Sequence, residues 1–177
     1  MGITGDAYKL VKVLHIVAAV VGFGAVSLNG LYGLQARDRR GREGLAVAES
    51  MYAVTTTWAM WFIYAVPVLG ILLILMSDDL FKFSQAWISM SFVVYIAIIG
   101  LSHAVHLPNI RRMLELMREL AAGPAGTMSG TAVGAAGGPP PQAVELESRG
   151  KQAAMVGGVL NLLMVGAIAL MVFKPGF

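Results

Sequence analysis

Three histidines, His15, His103 and His106, are the side chains of this 177-residue chain best suited to chemistry near neutral pH, and cysteine is absent. Imidazole is the group whose ordinary pKa lies closest to neutrality, and it is also a common metal ligand. His15 stands inside a long apolar run. A neutral imidazole there can act as an axial ligand to a haem iron, as a proton relay, or as a hydrogen-bond donor between helices. Met90 and Met164 lie at a matching depth in other apolar runs and would give His/Met ligation. His103 and His106 are three residues apart, and Glu115 is the nearest third ligand in sequence for a catalytic zinc, which needs three. About 20 Å of helix rise separates the depth of His15 from that of His103, so the two cannot share one metal.

The rest of the chain offers little catalytic chemistry. Without cysteine there are no disulfides, thiolate metal sites, iron–sulfur clusters or cysteine nucleophiles. No nucleophile–base–acid constellation is apparent, and no carboxylate lies in the apolar runs to carry a proton or cation. An enzyme is therefore the less favoured reading, with no catalytic residue and no metal site expected.

These residues are carried by four segments, Val13–Leu34, Tyr52–Met76, Ser84–Leu107 and Ala153–Phe173, that contain no Asp, Glu, Lys or Arg. They cover 92 residues, so all 23 charges fall in the remaining 85. That is about the charge density of an ordinary surface, which excludes a water-soluble globule. An α-helix needs about 20 residues to cross a ~30 Å hydrocarbon core, and each segment is long enough. The expected fold is all-α: a single membrane domain over residues 1–177, formed by a four-transmembrane-helix bundle with spans at about 8–34, 52–76, 84–107 and 153–173. No ten-residue alternation of the β-barrel kind occurs.

Charge sets the orientation. Arg37, Arg39, Arg40 and Arg42 lie between the first two spans, and Arg111, Arg112, Arg118, Arg149 and Lys151 between the last two. Cytoplasmic loops carry the Lys/Arg excess, so both termini are expected outside the bacterial plasma membrane. Lys9 and Lys12, close to the first span, favour the inverse. The same asymmetry accounts for the basic net charge without nucleic acid as a partner. The expected partners are the lipid bilayer and either further copies of the chain or another membrane protein.

Within the spans, costly polar groups should face the bundle interior. His15, Ala18, Gly22, Ala25 and Asn29 follow one helical seam whose small residues admit a neighbouring helix. Ser91, Tyr95, Ser102 and His106 form a second seam, and Thr57, Trp61 and Tyr64 a third. Beyond that third seam, Pro67 frees the carbonyl of Ile63. Interhelical hydrogen bonding is the expected role of these groups. Trp58, Trp87 and Tyr52 sit near span ends, where aromatic residues anchor at headgroups.

Between spans three and four, Ile110, Met113, Leu114, Met117 and Leu120 recur at helical spacing. They predict a short cytoplasmic amphipathic helix, either continuing span three or lying in the interface. Residues 122–142, dominated by Gly and Pro, read as a flexible linker.

The run Lys12-Val13-Leu14-His15-Ile16-Val17-Ala18-Ala19-Val20 with Gly22 and Gly24, followed by Ala36-Arg37-Asp38-Arg39-Arg40, resembles the opening of a bacterial family of four-span integral membrane proteins of unknown function (domain of unknown function 2269). The resemblance extends through Pro67 and Pro108-Asn109-Ile110-Arg111-Arg112. A looser similarity, through Lys-x-x-His-Ile, links the chain to HemJ-type protoporphyrinogen oxidases and copper-resistance membrane proteins. In the HemJ-type enzymes the first-helix histidine binds haem, and the resemblance would map that role onto His15. Two functions are thus in view: a structural or accessory membrane component without a cofactor, and a haem b redox protein with His15 as axial ligand.

Overall fold

A chain segment in lipid must satisfy its own backbone polar groups, and a helix does so internally. The computed structural model describes residues 3–39, 41–123 and 139–176 and has no strand among them. Four continuous helical stretches, Asp6–Asp38, Arg42–Leu75, Ala86–Ala122 and Pro141–Phe173, are long and apolar enough to cross a membrane. At 1.5 Å per residue, 33 residues extend about 50 Å, so each helix outruns the hydrocarbon core and carries its charges beyond it.

The elements in order are α1 (Asp6–Ser27), α2 (Asn29–Asp38), α3 (Arg42–Ala53), a π-helical turn (Val54–Ala59), α4 (Met60–Leu75), α5 (Ala86–Leu101), a second π-helical turn (Ser102–His106), α6 (Leu107–Ala122) and α7 (Pro141–Phe173). They form two compact units. One comprises Met1–Ser27, Val54–Gly100 and Leu160–Phe177, the other Leu28–Ala53 and Leu101–Val159. Each unit contains a stretch from every long helix, which is how the expected four-helix bundle is realised.

In the first unit the small-residue seam of α1 meets α4. Ala18 and Gly22 are buried, as are Ile63 and Val66 of α4. A Cβ on Gly22 would stand 3.0 Å from the backbone nitrogen of Ile63, so glycine is what permits this approach. The turn after α4 is organised by Ser77, whose hydroxyl donates to the Ile74 carbonyl at 2.7 Å and accepts the Phe81 amide at 3.0 Å. At the end of α7 the Lys174 ammonium lies 4.9 Å from the centre of the Phe81 ring and 5.6 Å from that of Trp87. Those two rings meet edge to face.

In the second unit α2 and α3 form a tight hairpin. Gly41 takes a φ of 75°, in the left-handed region that glycine enters freely. A Cβ on Gly44 would collide with the carbonyl oxygens of Ala36 and Arg39. Ala36 and Ala48 cluster with Leu114 of α6, and Leu45, Val47, Tyr52, Ile110 and Met117 pack around them.

The amphipathic stretch thus continues span three, as α6. Its apolar face is covered by the hairpin, and Leu116 is fully buried as well. Its polar face is tied by charge-assisted bonds. Arg118 pairs with Glu49 at 2.8 Å, and Arg111 donates to the Tyr52 hydroxyl at 2.6 Å. Arg112 pairs with Glu145 of α7 at 3.2 Å and with Glu115 at 3.2 Å. Of the stretch read as a linker, residues 124–138 lie outside the described residues, while Ala122 closes α6 and Pro141 opens α7.

Hydrogen bonds from Arg112, and next from Arg149, hold the Glu145 carboxyl below the ordinary carboxylate range. A carboxylate depressed on folding adds stability above its unfolded pKa, and that contribution is lost as pH falls through the folded value. Melting the detergent-solubilised protein across an acid series should therefore show stability falling below about pH 4.5. Glu145→Gln should be less stable than the parent at pH 7 and should show a smaller acid loss. An equal acid loss in both would contradict the assignment.

Candidate functional site

Proline has no N–H, so the helix position four residues before it loses its internal donor. In α4 that position is Ile63, whose side chain is buried. A bare carbonyl in a water-free interior is costly. Here the Tyr95 hydroxyl of α5 donates to the Ile63 oxygen at 3.1 Å. One turn along, His15 of α1 brings its Nδ1 to 2.9 Å from the Val66 oxygen. Pro67 therefore sits between two backbone carbonyls, each bonded by a side chain from a different helix.

The partner fixes the imidazole. A carbonyl can only accept, so the bond requires the proton on Nδ1, and a neutral His15 then carries its lone pair on Nε2. The ring lies against Gly70, where an added Cβ would be 3.3 Å from its Cε1 atom. Of the two methionines considered as further ligands, Met164 is buried and Met90 is 52% exposed.

The other histidines lie in the second unit, on the π-helical turn Ser102–His106. His103 is exposed. His106 packs beside Gly157 of α7, and its Nδ1 is buried with no hydrogen-bond partner among the described residues. Glu115 is engaged with Arg112. Among the described residues no group of three His, Cys, Asp or Glu side chains is positioned to hold a metal.

Several expected interior groups stand elsewhere. Thr57 and Tyr64 are exposed, and Trp61 is 74% exposed. Ser91 is buried but turns back to its own helix, donating to the Trp87 carbonyl at 2.6 Å. Trp87, read as a headgroup anchor, is buried instead, with Nε1 unpartnered among the described residues. The two π-helical turns explain part of this. A turn closed i→i+5 rotates the residues after it relative to a uniform 100° per residue. One such turn precedes Trp61, and the other contains Ser102 and His106. Position four before a proline was the signal that located Ile63. Nothing in the sequence paired it with Tyr95 or His15 with Val66, because both acceptors are backbone atoms.

A family model described as a predicted integral membrane protein (DUF2269) matches residues 9–175. No curated protein and no solved structure matches the chain.

The pairing of Tyr95 with the proline-freed carbonyl can be tested by a double-mutant cycle. Interhelical hydrogen bonds in membranes average about 0.6 kcal/mol, so Tyr95→Phe should destabilise the protein by about that amount. In a Pro67→Ala background, where residue 67 again donates to Ile63, the same change should cost nearly nothing. An unchanged cost would show that the hydroxyl serves something else.

Proposed function

We propose that this chain, which belongs to the DUF2269 family of predicted integral membrane proteins, is a structural or accessory membrane component that associates through its helices with other helices, those of its own copies included. The observation that carries this reading is a set of helical glycines at which a Cβ would meet nothing within 4 Å: Gly24, Gly30, Gly33, Gly100, Gly158 and Gly166. No contact among the described residues requires them to lack a side chain, and glycine in membrane helices commonly marks close approach between backbones. The polar groups of the first unit support it, since His15, Tyr95 and Ser91 are each bonded to a backbone carbonyl.

In the same reading the chain resides in the bacterial plasma membrane with both termini outside and α6 in the cytoplasm, since 9 of its 13 basic residues fall in the two connections that would face inward. The absence of native cysteine makes one experiment serve both points. Gly166→Cys should give disulfide-linked dimers or adducts on mild oxidation of membranes, and Asp78→Cys should react with an impermeant maleimide in intact cells. Monomer alone under oxidation sinks the association, and labelling of residue 78 only after permeabilisation reverses the orientation.

A second reading, haem b held by His15, draws support from the proton on Nδ1. A histidine whose Nδ1–H is bonded to a backbone carbonyl presents Nε2 as a ligand in the arrangement usual for metal-bound imidazole. His15 would hold the group through Nε2, and Met164, which is buried, is the sulfur donor that would be tested beside it. Haem would supply one-electron chemistry, while His15 would orient it and α4 would hold the imidazole. Protein purified from haem-replete cells should then show a Soret band that His15→Ala removes. A colourless preparation would dismiss the reading.

A further inference from the structure

The basic residues of the second unit divide into two populations. On α6 and α7 every arginine and lysine has an acidic or phenolic partner: Arg111 with Tyr52, Arg112 and Arg149 with Glu145, Arg118 with Glu49, and Lys151 with Glu147. On the α2–α3 hairpin, Arg37, Arg39 and Arg42 are surface residues, and none is within ion-pair distance of a carboxylate among the described residues. Arg37 acts on Glu147 only at longer range, that carboxyl being held low chiefly by its hydrogen bond from Lys151. Asp38 and Glu43 share the turn without forming an ion pair with any of the three.

The hairpin holds these cations at a defined depth. Arg37 is three residues beyond Leu34, the end of the apolar segment, which is about 4.5 Å along α2. The headgroup layer is about 5–8 Å thick on each side of the core. Arg39 caps α2 in extended backbone, and Arg42 opens α3. Between them Gly41 makes the reversal, and Gly44 lies against the carbonyls of Ala36 and Arg39. The backbone that carries the three arginines is therefore held by the packing of α2 against α3, which lowers the entropy lost when they are engaged. Guanidinium binds phosphate oxygens bidentately.

We infer that Arg37, Arg39 and Arg42 form a binding surface for the phosphate headgroups of anionic phospholipids. The surface lies at headgroup depth in either orientation, and it is independent of whether the helices associate or His15 holds a cofactor.

The test is native mass spectrometry of the full-length protein in non-ionic detergent, titrated with phosphatidylglycerol or phosphatidylcholine, with inorganic phosphate as competitor. Phosphatidylglycerol should bind preferentially. An arginine near an anionic surface is worth about fivefold in binding, so Arg37→Gln, Arg39→Gln and Arg42→Gln should each lose about that factor, and the triple variant should lose the preference. Arg118→Gln, which alters a paired arginine, should leave it unchanged. Should the triple variant fail to fold, the single variants carry the test. Equal binding of the two lipids, preference unchanged in all three single variants, or displacement by millimolar phosphate would overturn the inference.

Discussion

A backbone carbonyl without a donor is tolerable in water and expensive in hydrocarbon, and Pro67 creates one in the middle of the second span. Much of the first unit is arranged around that fact. Ile63 supplies the orphaned oxygen, Tyr95 of α5 covers it, and Gly22 of α1 allows the neighbouring backbone to close on the same residue. His15 repeats the arrangement at Val66. Three helices are thus tied at one short stretch of α4 by bonds aimed at main chain. Main-chain acceptors keep their position whatever side chain they carry, so these ties fix helix geometry with few sequence requirements of their own.

The second unit is held by different chemistry. Its small apolar cluster, Ala36, Ala48 and Leu114, is thin for three helices, and most of its additional ties are arginine–carboxylate pairs between partly exposed partners. Such pairs are individually weak in water. Here Glu145 is shared by Arg112 and Arg149, and Arg112 also reaches Glu115 and Glu119. A network of this kind specifies register between α6 and α7 more than it adds stability. Asn109 reinforces it by donating to the Arg149 carbonyl and accepting from its guanidinium.

The four spans were legible from the placement of charge, because water and lipid impose opposite demands on every residue. The α1 seam was legible too, since small residues at spacings of three and four have few other uses, and Gly22 does lie against α4. On span three the expected face is partly realised, since Ser91 is buried and the Tyr95 hydroxyl does bond another helix. The face of span two was not legible: helical-wheel reasoning assumes one uniform twist, and the π-helical turn at Val54–Ala59 breaks it. Trp87 shows another limit: a tryptophan near a span end signals a headgroup anchor by its position, but an edge-to-face contact with Phe81 and a cation above the pair draw it inside. His15 stands out in the sequence as the histidine deep inside an apolar run, whereas its partner is a carbonyl that no side-chain pattern reveals.

Lys174 gives the end of α7 an attachment of unusual character. Its ammonium rests against two aromatic rings, whose electron-rich faces attract the cation. Lys174 thereby ties the end of the fourth span to the connection between the second and third, with Phe81 and Trp87 as its seat. One cation and two rings gather three helix ends of the first unit at a single point.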